Sequence, residues 1–198
     1  MNSEPVKKMN APYFLAYILI PAAATALCFF LGYTFFRDGG AGAVILFLIP
    51  PVLSILWWMF GGKIIFKEKR KKLMQKLESS GFRANHTFDS DICTVAVDME
   101  HGKIALIFFW NPFQNYVLPA GRISKIWTDD GKNGMGPLTG SSRVSFLFTI
   151  DGIRVRVNTF TSNKRWRMDS DYILTGISKA DMMAEALTEA KERSVSCN

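Results

Sequence analysis

This sequence has few of the side chains that build metal centres or nucleophilic active sites. Its 198 residues include two histidines, His86 and His101, and three cysteines, Cys28, Cys93 and Cys197. The cysteines lie too far apart for the paired spacing of a zinc site, and a histidine in a turn is usually a solvated loop residue. We therefore expect no metal, no cofactor, no catalytic residue and no structural disulfide, since thiols in the cytoplasm stay reduced.

Two further patterns fall short of a binding motif. Asp89, Asp91 and Asp98 are close in sequence, but acidic residues before and within an exposed strand usually face solvent. The glycines within residues 130–141 suggest a phosphate-binding loop, yet the Lys-Ser/Thr ending and the strand-to-helix context of such a loop are missing. We expect neither a cation site nor a nucleotide site, and we interpret residues 130–141 as a mobile loop between strands.

Charged side chains are absent from two long apolar segments near the N-terminus. These segments cover residues 11–36 and 41–62, and only Arg37-Asp38-Gly39-Gly40 separates them. Because a membrane-spanning helix needs about 20 apolar residues, the sequence predicts a tight transmembrane hairpin with both termini on one side. Ala24-Thr25-Ala26 resembles a signal-peptidase site, but the apolar segment continues beyond it, which is typical of a spanning helix.

The distribution of charge predicts how the hairpin is oriented. Residues 1–81 carry 10 Lys/Arg and 4 Asp/Glu, whereas residues 82–198 carry 14 and 13. Positive residues next to spanning helices stay in the cytoplasm, so we expect a multi-pass protein of a bacterial inner membrane with both termini cytoplasmic. Topology and contact with anionic lipid headgroups explain the positive charge, so we expect no nucleic-acid partner.

The apolar segments themselves contain little polarity. No Asp, Glu, Lys, Arg or His lies within them, which argues against transport by the hairpin alone. Pro21 and the Pro50-Pro51 pair are expected to bend the helices, and Ala22 and Ala26 to allow close packing within the hairpin or between copies. Aromatic residues mark the expected membrane interfaces, with Trp57 and Trp58 at the inner one and Tyr33, Phe35 and Phe36 at the outer one.

A basic segment with helical spacing follows the second apolar segment. Phe66, Leu73 and Leu77 recur on one side, and Ser79-Ser80-Gly81 predicts the end of a helix with Gly81 as its left-handed cap. We interpret residues 63–81 as a cytoplasmic stem that extends the second helix, either contacting anionic lipid or standing in solvent. Its cationic residues are Lys63, Lys67, Lys69, Arg70, Lys71, Lys72 and Lys76.

Residues 82–198 are enough for one small domain, and most of their apolar pattern has the period of a β-strand. Asp151-Gly152 predicts a tight hairpin between residues 143–150 and 153–158. This turn pairs Phe148 with Val155 on an apolar face. It leaves the opposite face, which includes Leu147 and Arg156, largely wet.

A second hairpin is predicted between residues 93–99 and 104–110, with His101-Gly102 as its turn. That turn would place Val97 opposite Leu106, Val95 opposite Phe108 and Glu100 opposite Lys103. Further short strands are expected at residues 116–119 and 122–129, which makes five or six strands in all.

The C-terminal segment predicts an amphipathic helix. Ser178-Lys179-Ala180-Asp181 has the pattern of a capping box, so the helix is expected to begin there and to end near Arg193. Asp181, Glu185 and Glu189 belong to the expected solvated face. The apolar stripe consists of Met182, Met183, Ala186, Leu187 and Ala190.

An antiparallel strand meander followed by a helix resembles the bacterial pleckstrin-homology-like (PH-like) domains that follow membrane helices. The resemblance lies in VDMEHGKIAL at 97–106, YVLPAGRISKIWTDDG at 116–131, FLFTIDGIRVRV at 146–157 and the closing helix. It covers residues 82–193, and that fold has about seven strands. The resemblance implies a binding or assembly module without chemistry of its own, and it carries over no phosphoinositide-binding signature.

One group of basic residues is a candidate contact surface for a partner or for lipid. Arg154 and Arg156 share the wet face of their strand, and an aromatic residue with basic neighbours follows shortly after. Such a patch could dock on lipid headgroups or on an acidic protein. Alternatively, Trp166 caps the core while its neighbours pair with Asp169 and Asp171. The patch comprises Arg154, Arg156, Lys164, Arg165, Trp166 and Arg167.

Together these patterns predict an α+β membrane protein with three parts. They are a tail and transmembrane hairpin at 1–62, a basic stem at 63–81, and a cytoplasmic PH-like β-domain at 82–198. The expected function is a non-catalytic accessory or structural subunit of an envelope assembly of the secretion or conjugation type. Its expected partners are other membrane proteins, with self-association as a further option. Two alternatives stay open: a self-oligomerising defence or exclusion factor that perturbs the bilayer, and a membrane-tethered enzyme.

Overall fold

A computed structural model describes residues 6–35, 40–132 and 140–196. Helix α1 spans Ala11–Phe35 and helix α2 spans Ala41–Leu56. A π-helical turn, Trp57–Gly61, leads directly into helix α3, Gly62–Ser79, which confirms the expected helical stem. Two helical segments of the described chain are long and apolar enough to cross a membrane. One is α1, and the other is Phe47–Ser79, which runs from within α2 through the π-helical turn to the end of α3. The predicted turn at 37–40, except Gly40, and the predicted interface residue Phe36 lie outside the described residues.

Polar and aromatic contacts join α1 to α2. The hydroxyls of Thr25 and Ser54 lie 2.7 Å apart, and Ser54 also donates to the carbonyl of Pro21 at 3.2 Å. Gly32 lies against the ring of Phe47, whose Cζ would be 3.0 Å from an added Cβ. Ala22 and Ala26 are exposed instead, so the hairpin does not pack through them as one expectation had it.

The described residues of the β-domain form seven strands and a closing helix, where the sequence predicted five or six strands. Strands β1 to β4 form one antiparallel sheet in sequence order, and β5 to β7 form a second. The mostly polar β1 is the strand that the apolar pattern did not reveal. The strands are β1 His86–Asp89, β2 Cys93–Asp98, β3 Lys103–Phe108, β4 Asn111–Pro119, β5 Ile123–Asp129, β6 Gly140–Ile150 and β7 Ile153–Arg167.

The two predicted hairpins have different outcomes. The β6–β7 register is confirmed, since Phe148 pairs with Val155 across the Asp151-Gly152 turn. Leu147 is fully buried rather than wet, because it lies between Trp127 of β5 and Arg156 of β7, and these long side chains cover it.

The predicted β2–β3 register is wrong by two residues. Val97 pairs with Ile104 and Asp98 pairs with Lys103, so the turn contains four residues instead of two. The buried carboxylate of Asp98 is the physical reason, because it accepts a hydrogen bond at 3.0 Å from the backbone N–H of His101 and holds the longer turn. A shift of two residues keeps the same side chains on the same face.

The closing helix α4 spans Asp171–Ser196 and begins seven residues before the predicted capping box. Ser178 therefore lies inside the helix, and the capping-box prediction is wrong. The apolar stripe starts earlier, at Ile173, and recurs at intervals of three or four residues, which extends the helix. Met182 is exposed, whereas the other predicted stripe residues are buried. The full set of buried positions is Ile173, Gly176, Ala180, Met183, Ala186, Leu187, Ala190 and Ser194.

The main core lies between the two sheets and α4. Val95 and Leu106 of the first sheet, Phe146 and Phe148 of the second, and Leu187 of α4 belong to this single buried cluster. A smaller cluster lies on the other face of the first sheet. There Ala96 and Ala105 pack against Leu77 of α3 and Phe82, because alanines let a helix approach a sheet closely.

Candidate membrane-facing site

The N-terminal tail, residues 6–10, is part of the β-domain. Val6 is only 3% exposed and belongs to the main core of the β-domain. The carbonyl of Lys7 accepts hydrogen bonds from Asn111 Nδ2 at 3.1 Å and from the Tyr116 hydroxyl at 3.0 Å. The tail therefore fastens the β-domain to the start of α1.

Asn10 joins this tail to the first helix. Its side-chain oxygen accepts a hydrogen bond at 3.1 Å from the backbone N–H of Tyr13, as an N-cap residue does. Its own N–H donates to the carbonyl of Trp110 at 3.0 Å, in the connection between β3 and β4. One residue thus fixes both the start of α1 and its distance from the first sheet.

Tyr17 connects the two apolar helices beside the π-helical turn. Pro21 has no N–H to donate to the carbonyl of Tyr17, four residues earlier, and the indole N–H of Trp58 donates there at 3.3 Å instead. The Tyr17 hydroxyl in turn donates to the carbonyl of Trp58 at 2.7 Å. Carbonyls that a proline and a π-turn release from regular helix bonding are thereby satisfied.

An aromatic cluster fills the space where helices and β-domain meet; we call it the aromatic junction. Trp110 lies edge-on to Phe14 at 5.1 Å and to Tyr17 at 5.7 Å between ring centroids. Gly62 allows this approach, since an added Cβ would be 2.8 Å from both Phe109 Cζ and Tyr17 Oη. The junction consists of Tyr13, Phe14, Tyr17, Phe66, Phe109, Trp110 and Phe113.

The basic stem is docked on the β-domain rather than free-standing. Phe66 and Leu77 of α3 are buried, and Arg70 forms an ion pair with Asp89 of β1 at 3.2 Å. The ammonium of Lys69 lies 5.3 Å from the ring centroid of Phe113. The remaining basic residues of the stem are exposed: Lys63, Lys67, Lys71, Lys72 and Lys76.

The predicted basic patch does not come together as one surface. Arg154 and Lys164 lie ten residues apart on the same strand, β7, which corresponds to about 30 Å. Arg156 pairs with Asp129 at 3.1 Å, and Arg167 pairs with Asp169 at 2.8 Å.

Trp166, at the far end of this patch, is half-buried against the core. Its indole N–H donates to Ser162 Oγ at 3.0 Å, and its ring centroid lies 4.5 Å from that of Tyr172. It is therefore not an exposed anchor, whereas Lys164 and Arg165 are exposed.

A separate groove of about 280 Å³ lies between the edge strands β1 and β7 and the helix α4. Asp89 and Thr87 of β1 line one side, and Asn158 of β7 lines the other. Lys179 and Met182 of α4 form the exposed rim, and Met182 is 53% exposed. The groove offers backbone edges, an apolar side chain and a cation, which suits a protein partner better than a reaction.

Two titratable groups with shifted pKa values, those of Cys93 and Asp98, are held by the fold in the described part of the chain. Burial raises the pKa of the Cys93 thiol to about 12, so this thiol is protonated and unreactive at neutral pH. Asp98 serves the β2–β3 turn, and its carboxylate contacts His101 Nδ1 at 2.8 Å. No group of three or more His, Cys, Asp or Glu is placed to hold a metal ion among the residues described.

Sequence reasoning missed the aromatic junction and the docking of the tail. Phe109 and Trp110 lie in the connection between β3 and β4, and Phe113 lies near the start of β4. Three aromatic residues within five positions, where one strand ends and the next begins, were the available signal. Val6 gave none, because a single apolar residue among polar neighbours has no periodicity.

No protein-family model matches this chain, and comparison with curated proteins and with solved structures gave no significant match either.

Proposed function

We propose that this chain is a non-catalytic accessory or structural subunit of a multiprotein assembly in a bacterial inner membrane, of the secretion or conjugation type. The hairpin spans the membrane with both termini in the cytoplasm, and the β-domain is a PH-like module that binds partner proteins. The observation that carries this proposal is the double attachment of the β-domain, which packs against the tail before α1 and against the stem after α2.

Double attachment supports an assembly role because it fixes the β-domain relative to the membrane. The helix α3 ends at Ser79, and Phe82 is already buried against it, so no flexible linker separates stem from domain. A surface held in one orientation loses little freedom when a partner binds, which raises affinity.

The architecture supports the PH-like assignment. Among the described residues, sheets of four and three antiparallel strands followed by one helix match the number of about seven strands that the resemblance implies. A shared fold does not assign a function, so the binding role rests on the surfaces of this chain.

The groove between β1, β7 and α4 is the partner surface that we favour. It lies between two strands whose outer edges are unpaired within the described sheets, and an added strand from a partner would satisfy their backbone groups. Met182 supplies an apolar contact on its rim.

Site-specific crosslinking tests this function. A photoreactive residue is placed at Met182 in the full chain, and crosslinking is performed in native membranes before gentle extraction through a C-terminal tag. We expect one or a few discrete adducts with other envelope proteins, present in fixed ratio to the chain.

A photoreactive residue at Arg165 is the matched control, since Arg165 is also exposed but lies at the distal end of β7. Adducts from Arg165 alone would contradict the groove as the partner surface and favour the basic residues around Arg165 instead. A homo-oligomer that carries only lipid would contradict the subunit role and favour the bilayer-perturbing alternative, which ion leakage on overexpression would then test.

A further inference from the structure

A small cleft lies beside the N-terminal tail, where the end of the first sheet faces strand β7. It has a volume of about 140 Å³. Its rim is cationic, formed by Lys8, Arg154 and Arg156. Its walls are mostly apolar and consist of Ile92, Cys93, Phe108, Trp110 and Val155.

Two of the three rim cations have no acidic partner within the part of the chain that the structure describes. Arg156 is occupied by Asp129 at 3.1 Å. Lys8 and Arg154 take part in no ion pair among the described residues, and the Lys8 ammonium donates a hydrogen bond to the backbone carbonyl of Arg154. Partial burial lowers the pKa of Lys8, and the positive charge of Arg154 acts in the same direction. A bound anion would relieve this repulsion between like charges.

The aromatic ring of Trp127 positions the guanidinium of Arg154. The Arg154 Cζ lies 4.8 Å from the ring centroid of Trp127, and the Lys125 ammonium lies 5.2 Å from the same centroid. Stacking of this kind restricts a long side chain and leaves its N–H groups available to phosphate oxygens. The register of the second sheet places Lys125, Trp127 and Arg154 on one face.

The cleft lies close to the apolar hairpin. Lys8 precedes the first residue of α1 by three positions, and Trp110 contacts Phe14 of α1 at 5.1 Å between ring centroids. Ile92, on the cleft wall, is 43% exposed. In a membrane-inserted chain this places cations and exposed apolar atoms together at the level of the headgroups.

We propose that this cleft binds an anionic phospholipid from the surrounding leaflet. The phosphate contacts Lys8 and Arg154, and the glycerol and the first acyl carbons lie against Ile92 and Trp110. The inference rests on the membrane insertion proposed above, and it gives the lipid contact a defined site distinct from the stem.

Native mass spectrometry of the full chain in detergent micelles tests this site, with phosphatidylglycerol and phosphatidylcholine as probes. We expect one phosphatidylglycerol to be retained per chain, and the double variant Lys8→Gln/Arg154→Gln to retain it about tenfold more weakly. The variant Lys164→Gln/Arg165→Gln removes the same charge at exposed positions of the chain and should retain phosphatidylglycerol as the unaltered protein does.

Three results would overturn the lipid site. They are equal weakening in both double variants, equal retention of phosphatidylcholine, and displacement of the lipid by millimolar glycerol 3-phosphate, which would indicate a site for soluble phosphates. Alkaline carbonate extraction of the same membranes reports insertion separately. Release of the unaltered chain by carbonate would contradict both the proposed function and the lipid site. If the chain is retained in the membrane, a negative result in the mass spectrometry contradicts the lipid site alone.

Discussion

Gly102 occupies a position of the β-domain that has no room for a side chain. It closes the β2–β3 turn with a φ of +59°, and an added Cβ would lie 2.5 Å from the backbone nitrogen of Ser194 in α4. Gly152 closes the β6–β7 turn with a similar φ of +76°, but an added Cβ there would have no neighbour within 4 Å. Two glycines with similar backbone conformations therefore differ in what surrounds them.

We expect Gly102→Ala to destabilise the protein much more than Gly152→Ala. A positive φ costs a residue with a Cβ about 1–2 kcal/mol at either position. At Gly102 the displacement of α4 adds about 1–3 kcal/mol, since backbone atoms cannot rotate away. Thermal unfolding of the two variants measures the difference, and equal midpoints would show that α4 does not pack on this turn.

Asp98 makes the stability of the fold depend on pH in the acidic range. Its burial alone would raise the pKa of the carboxyl, but hydrogen bonds from the Arg83 N–H, the His101 N–H and the His101 ring outweigh this, and the pKa is lowered. A carboxyl with a lowered pKa stabilises the fold above its unfolded pKa of about 3.9, and this contribution is lost as pH falls through the folded value.

Asp98→Asn should therefore reduce the free energy of unfolding by about 1–3 kcal/mol at pH 7, with a difference from the unaltered protein that shrinks below about pH 4. Urea unfolding at several pH values measures it. Asp169→Asn is the control, because both side chains of the Arg167–Asp169 pair are exposed and such pairs contribute little. A pH-independent difference at Asp98 would mean that shape, and not charge, holds the turn.

At the scale of elements, the second long helix changes its hydrogen bonding where it leaves the apolar segment. The π-turn Trp57–Gly61 stands between α2 and α3, and Tyr17 of α1 is bonded to its carbonyls. A π-turn is frequently placed at functional positions of a helix, and here it faces the aromatic junction. Tyr17 thus contributes both to the packing of α1 against the second long helix and to the position of the β-domain relative to the two helices.

Tyr17→Phe keeps the ring and removes the hydroxyl that bonds to Trp58. We expect a loss of about 0.5–1.5 kcal/mol in unfolding measured in bicelles, together with faster proteolysis between hairpin and β-domain. Tyr33→Phe, at an exposed position of the same helix, should change neither. If both variants behave alike, the hydroxyl of Tyr17 does not hold the two elements together.

At the scale of the whole molecule, local sequence patterns predicted most of the helices and strands but not the polar strand β1, and they did not predict how the elements pack together. The Asp151-Gly152 hairpin, the continuous stem helix and the two apolar helices follow from turn chemistry and periodicity. The start of α4 and the β2–β3 register were mispredicted, because Ser178 and His101-Gly102 carry local signals that the apolar stripe from Ile173 and the buried Asp98 override. The tail and the aromatic junction depend on residues far apart in sequence, which no local pattern records.

A substitution at Val6 tests how strongly the N-terminal tail is held in the core of the β-domain. We expect Val6→Asp to expel the tail from the core, because a buried charge without a partner costs several kcal/mol. Limited trypsin digestion should then cleave after Lys7 and Lys8, whereas these sites resist cleavage as long as the tail is docked. Met9→Asp, at an exposed position of the same tail, should remain resistant, and equal cleavage of both variants would show that the tail is not held by Val6.

The docked tail also has a consequence for biosynthesis. Lys7 leaves the ribosome long before its partners, since Asn111 and Tyr116 follow 104 and 109 residues later. At about 5–20 residues per second, the tail waits about 5–20 s, while the hairpin is already emerging. If the hairpin spans a bilayer, as proposed above, the β-domain closes only when the tail and the β-domain lie on the same side of it. A chain whose first helix inserted in reverse would strand Val6 across the membrane and leave its core open, so completion of the fold reports on correct insertion.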